Sequence, residues 1–178
     1  MDRNQKLNML FDAFAEELNI TRTMFDKAER AYNALGDYIK GNNQDWDVKV
    51  IPQGSFALGT VVKPIAEEGQ YDVDLVVLVQ SPRMRADILR NRVYEMLENH
   101  GRYEGKIENK KPCIRIQYAD SAQFHMDVAS AQPIINDLPK LNIAKLDEEG
   151  LYKYDPSNPL GYIDWFKRVM NYERVREA

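Results

Sequence analysis

The run Tyr71-Asp72-Val73-Asp74-Leu75-Val76-Val77-Leu78-Val79 constrains the fold more than any other part of the chain. From Val73 to Val79 every residue except Asp74 is apolar, so a strand here has no polar face and must be covered on both sides. That places it in the middle of a sheet. Within it, Asp72 and Asp74 stand two residues apart and present their carboxylates to one face. Two like charges in an apolar strand suffer desolvation and mutual repulsion unless a cation neutralises them. Hard oxygen ligands with an open coordination sphere suit Mg2+ or Mn2+ bound together with phosphates. An isolated D-x-D pair is also common at strand starts as a turn former or cap, so the reading needs support from elsewhere in the chain.

That support comes from two places. Asp127, in Phe124-His125-Met126-Asp127-Val128, repeats the anomaly of a carboxylate in an apolar strand. Three such carboxylates converging would hold two metals about 4 Å apart, the arrangement of in-line phosphoryl chemistry. Asp127 would also stand where a general base takes the proton of an attacking ribose hydroxyl. Upstream, Gln53-Gly54-Ser55 comes after a short strand and opens a short helix, Phe56-Ala57-Leu58-Gly59-Thr60. A backbone opened by Gly54, with the Ser55 hydroxyl beside it, suits a terminal phosphate. Gln53 supports that loop, and Lys63 is either a phosphate ligand or a surface lysine ahead of Pro64. Neither G-x-x-x-x-G-K-[ST] nor G-x-G-x-x-G occurs.

Other residues read more blandly. His125 shares a strand face with Asp127 but is first of all a packed, hydrogen-bonded histidine. Arg115 either serves an acceptor nucleotide or forms an ion pair. Cys113 is a small buried hydrophobe, and Tyr162 and Trp165 either stack a base or, as their helical spacing beside Ile163 and Phe166 reads first, belong to the core.

Around these residues the patterning alternates helix and strand. Leu7, Leu10, Phe11, Phe14 and Leu18 form one apolar stripe of a first helix. A second helix spans about 23–40, capped by Thr23 and stopped by Gly41, with Met24, Ala28, Ala31, Leu35 and Ile39 inward. A strand over 48–52 comes next, then the central strand, and then a helix opened by Ser81-Pro82 with Ile88, Leu89, Val93, Met96 and Leu97 buried. Strands are expected over 111–118 and 124–129. Residues 131–158, punctuated by Pro133, Pro139 and Pro156, read as a long irregular surface connection. Asn158-Pro159 opens a last helix. The expected fold is α/β (α+β): a twisted mixed sheet backed by helices. Residues 1–45 form a helical layer, 46–156 a catalytic core, and 157–178 the first helix of a further helical domain.

The 178 residues amount to about one domain. A net charge of −4 argues against a general nucleic-acid coat. From Ser81 to Tyr118, nine Lys/Arg stand against five Asp/Glu, most simply a solvated helix face. One cysteine excludes an internal disulfide framework and a multi-cysteine zinc site, which favours a reducing, cytoplasmic setting. No apolar run is long enough to span a bilayer, and the first twenty residues are too charged for a signal peptide.

PQGSFALGTVVKP, YDVDLVVLV and FHMDVASA together resemble the hG-S…D-x-D…h-x-D core of the polymerase-beta-like nucleotidyltransferase superfamily. More narrowly they resemble the bacterial CD-NTases, the cyclic GMP-AMP synthase-like enzymes of CBASS anti-phage systems, and SNPLGYIDWFKRVM is similar to the segment C-terminal to the catalytic core in that family. The resemblance runs over roughly residues 4–170. It implies that Asp72, Asp74 and Asp127 are metal carboxylates of a two-metal Mg2+ (or Mn2+) site, and that Gly54 and Ser55 hold the donor triphosphate, with Gln53 and Lys63 beside them. It further implies NTP substrates such as ATP or GTP, a cyclic di- or trinucleotide product and pyrophosphate release. A helical C-terminal lobe would form the other wall of the cleft, and CBASS effectors or regulators would be indirect partners. A linear nucleotidyltransferase and a non-catalytic nucleotide-binding scaffold are the alternatives.

Overall fold

The computed structural model describes residues 2–66, 69–118 and 123–176. Helices α1 (Arg3–Leu18) and α2 (Arg22–Gly41) open the chain. Asp2 caps α1 by accepting from the Asn4 and Gln5 amides, while the Gln5 side chain accepts from the Asp2 amide. Thr21, not Thr23, caps α2: its hydroxyl accepts from the Met24 amide at 3.2 Å. Arg22 and Thr23 fit the first turn, so the helix gains residues by starting at the earlier of two equivalent caps.

Seven strands lie in one sheet: β1 (Asp47–Gln53), β2 (Tyr71–Ser81), β3 (Ile107–Asn109), β4 (Ile114–Gln117), β5 (Phe124–Pro133), β6 (Leu141–Leu146) and β7 (Tyr152–Ser157). Helix α3 (Gly54–Leu58) lies between β1 and β2, α4 (Ala86–Glu98) between β2 and β3, and α5 (Pro159–Arg176) comes after β7. The order β1-β2-β5-β4-β3 puts β2 and β5 at the centre, parallel to each other, with every other pairing antiparallel. The continuous apolar run of β2 is therefore explained by its position. The first half of β5 pairs with β4, and its last four residues pair with β6.

The two sheet faces are unequal. Tyr71, Val73, Leu75, Val77 and Val79 of β2 join Phe124, Met126 and Val128 of β5 in a large core with Ala28, Leu35 and Ile39 of α2 and Leu89, Val93 and Leu97 of α4. The opposite face carries a smaller cluster of Val76, Leu78, Ala131 and Leu141, with Ile51 and Ile143 against it. Pro159, Leu160 and Ile163 of α5 meet that side. Asp72 and Asp74 precede Val76 on this second face.

Four expectations are corrected. Residues 131–158 are not irregular: β6 and β7 form a hairpin registered from Leu141↔Ser157 to Leu146↔Tyr152. Pro156 is tolerated because β7 is an edge strand, paired with β6 alone among the described residues. Ser81 closes β2 instead of opening a helix, and α4 starts at Ala86 with Ile88 exposed. The apolar stripe of α1 is not core, since none of its residues is buried. Tyr162 and Trp165 are also exposed, at 54% and 51%. No described helix is long and apolar enough to cross a membrane.

Candidate active site

Strand register builds the site. Gln53 of β1, Asp74 of β2, Asp127 of β5 and Arg115 of β4 lie on one rung, each paired with the next across the sheet. The neighbouring rung carries Asp72, His125 and Gln117. Because side chains two apart share a face, both rungs point the same way and the three aspartates meet.

Arg115 dominates the electrostatics. Its Nε and Nη2 each donate to Asp127, both at 2.7 Å, in a bidentate fork, and Nη2 also lies 3.4 Å from Asp72 Oδ1. Burial pushes the Asp127 carboxyl up, but the Arg115 hydrogen bonds and charge outweigh it and hold the group below the usual carboxylate range. Asp74 goes the other way. Burial, reinforced by the charges of Asp127 and Asp72, raises it from 3.8 to about 6 against the weaker pull of Arg115. Burial also drives the Cys113 thiol up to about 12, with the Asp127 charge adding to it. Cys113 is thus the inert buried residue expected of it.

His125 is more than packing. Its Nδ1 lies 3.2 Å from Gln70 Oε1, and its Nε2 lies against Asp72 Oδ1. Ligand atoms of Asp72, His125 and Asp127 all fall within 4.8 Å of one another. Asp74 flanks this group on the Gln53 side. The set fits a hard divalent cation: Asp74 is a half-buried carboxyl, raised by its burial and then by two neighbouring carboxylates, and a cation would relieve that charge.

Gly54 adopts φ +61°, and a Cβ there would overlap Asp74 Oδ2. Only glycine lets the β1–α3 turn come this close to the carboxylates. Ser55 is the second residue of α3. Lys63 lies elsewhere: its ammonium is 3.2 Å from Glu17 Oε1, and its amide donates to the Leu18 carbonyl at 2.7 Å.

A cleft of about 260 Å³ opens beside these residues, lined by Gln53, Asp74 and Asp127 and by Lys145, Asp155 and Ser157 of the β6–β7 hairpin. Sequence reasoning missed those three. Their only signal was the i/i+2 spacing of Asp155 and Ser157, in a segment whose prolines suggested no strand.

Residues 48–130 match the family described as cyclic GMP-AMP synthase DncV-like, nucleotidyltransferase domain. Over these residues, just under half of its length, the chain is similar to that family. The chain is also 26% identical over 163 residues to a c-di-GMP synthase of Roseivirga ehrenbergii, covering 88% of this chain and 42% of that relative. Among solved structures, the CD-NTase CdnG of Bradyrhizobium diazoefficiens in complex with GTP superposes with a TM-score of 0.70 at 21% identity, covering 84% of this chain and 43% of that one. Escherichia coli DncV in its 3'-deoxy GTP bound form gives 0.69 at 16% identity, covering 87% and 58%. The chain thus spans under half of the first two relatives, and the shared fold is the α/β nucleotidyltransferase sheet backed by helices expected from the sequence.

Proposed function

We propose that this chain is the catalytic core of a divalent-metal-dependent nucleotidyltransferase that joins nucleoside triphosphates into a cyclic dinucleotide signal. The convergence of Asp72, Asp74 and Asp127 on one face of parallel β2 and β5 carries the reading, since a sheet centre gains nothing else from three carboxylates. Residues 46–156 supply the catalytic unit, and 157–178 begin a helical lobe that closes the cleft. The setting is the cytoplasm of a bacterium and the role anti-phage signalling, in keeping with the resemblance on which the core motif rests.

In this reading Asp72, Asp74 and Asp127 hold Mg2+ or Mn2+, which when bound supplies charge stabilisation for the attacking and leaving oxygens of an in-line displacement. The chain's own residues do the rest. Asp127 orients the attacking ribose hydroxyl and takes its proton. Arg115 fixes the Asp127 carboxylate in one plane, and the His125 ring rests against one oxygen of Asp72. Gly54 and Ser55 bring backbone and hydroxyl to the donor phosphates, with Gln53 beside them lining the cleft. Lys63 reaches a phosphate only by leaving Glu17, an exposed pair worth little to hold.

Incubation with labelled NTPs and Mg2+ or Mn2+, then phosphatase and chromatography, tests this. A phosphatase-resistant product, lost by orders of magnitude in Asp74→Asn, is expected. Product formation unaffected by Asp74→Asn would refute the assignment, and a phosphatase-sensitive product would make the transfer linear.

A further inference from the structure

The β6–β7 side of the cleft has a charge arrangement that the carboxylate site does not explain. Lys145 near the end of β6 and Asp155 on β7 both line the cleft and form an ion pair across the hairpin. Their side chains are 36% and 47% exposed, so the pair is held loosely and opens at little cost. The hairpin is fixed to the central strand by the register Ser130↔Ala144, three residues beyond Asp127, which sets it beside the aspartates in the same sheet. Among the described lining residues, three carboxylates (Asp74, Asp127 and Asp155) face a single cation, Lys145. A nucleoside triphosphate brings about four more negative charges into this space. Cations held at the aspartates would neutralise the carboxylates and the phosphates nearest them; phosphate oxygens lying over the hairpin need a donor of their own.

We propose that Lys145 is a polyphosphate-binding residue of this cleft, tethered by Asp155 in the empty chain and transferred to a non-bridging phosphate oxygen when a nucleoside triphosphate enters. Asp155 is then a competitor for Lys145, and removing it frees the ammonium. The proposal rests on the nucleotidyltransferase reading of the site and names a second contact surface within it. Ser157 of β7 lines the same cleft.

Calorimetric titration of the full chain with Mg·ATP, Mg·GTP and Mg·tripolyphosphate tests it, alongside Lys145→Met, Lys145→Arg and Asp155→Asn. Lys145→Met is expected to weaken triphosphate binding roughly ten-fold or more, as loss of a charge-assisted hydrogen bond does. Lys145→Arg should keep most of it, and Asp155→Asn should strengthen it. A merely structural ion pair predicts the opposite sign for Asp155→Asn, which would then weaken binding as Lys145→Met does; that result overturns the proposal, as does unchanged binding in Lys145→Met. Wild-type chain that binds none of the three probes overturns it together with the reading beneath it. Wild-type binding insensitive to Lys145 overturns the proposal and leaves that reading standing.

Discussion

Asp74 stands between Gln53 and Asp127, and burial beside two carboxylates lifts its carboxyl from 3.8 to about 6. Between about pH 4 and 6 the folded, metal-free chain therefore keeps a proton there that the unfolded chain has lost. Stability contributed by that proton falls as pH rises through the window, and the cost is complete above it. Asp127, held low by Arg115, works in the other direction: its contribution is present above the ordinary carboxylate range and is lost on acidification. In chelator, Asp74→Asn should stabilise the chain by on the order of 2 kcal/mol at pH 8, with the gain shrinking toward pH 4. Thermal denaturation at both pH values checks this; a pH-independent difference would mean that Asp74 is ionised without penalty. Divalent-metal affinity should rise as pH passes through about 6, because the proton must leave first. The aspartates were legible in sequence because a like-charged pair in an apolar strand breaks the rule by which such strands are built. Lys145 and Asp155 were not, since a lysine and an aspartate ten residues apart carry no signal until the hairpin register places Ile143 opposite Asp155.

At the scale of elements, the β1–α3 turn joins the phosphate side of the site to its carboxylates. Gly54 sits at φ +61° with its α-carbon turned toward Asp74, so a methyl group meets both backbone strain and the carboxylate oxygen. Gly54→Ala should cost about 2 kcal/mol in a denaturant titration and reduce metal-dependent nucleotide binding in parallel. An unchanged midpoint would show that the turn relaxes freely and that the close approach is incidental. The Gly-Ser turn, both central strands and the helix after Asn158 were readable because period and punctuation agree there. The β6–β7 hairpin was hidden by Pro156, which an edge strand accepts and a central strand would not. The start of α4 was misplaced because Ser81-Pro82 offers a helix-opening signal while β2 pairs on through Ser81, opposite Asp47.

Over the whole molecule, packing is lopsided. The face shared by α2 and α4 is closed over a large core, whereas α1 lies outside it with Phe11 at 65% and Phe14 at 56% exposed. The amphipathic pattern of α1 was correctly read as helical, but a pattern states which face wants burial and not whether anything covers it. The helix is tied near its C-terminal end, where the Lys63 amide donates to Leu18 and Asn19 bridges Val62. On the sheet's second face, α5 sets Ile163 against Ile51 and Val76 yet leaves Trp165 and Met170 exposed. Apolar surface of this extent drives association without contributing to the stability of the fold. Replacing Phe11 and Phe14 together by Gln removes the most exposed aromatics of α1 while keeping residues that favour helix. The double variant should unfold within about 0.5 kcal/mol of the wild type, because neither ring is buried. Sedimentation should find it less self-associated at high concentration, and it should bind less hydrophobic dye. A loss of several kcal/mol would instead mean that these rings pack within the chain in solution, and that α1 is part of the folding unit and not an appendage to it.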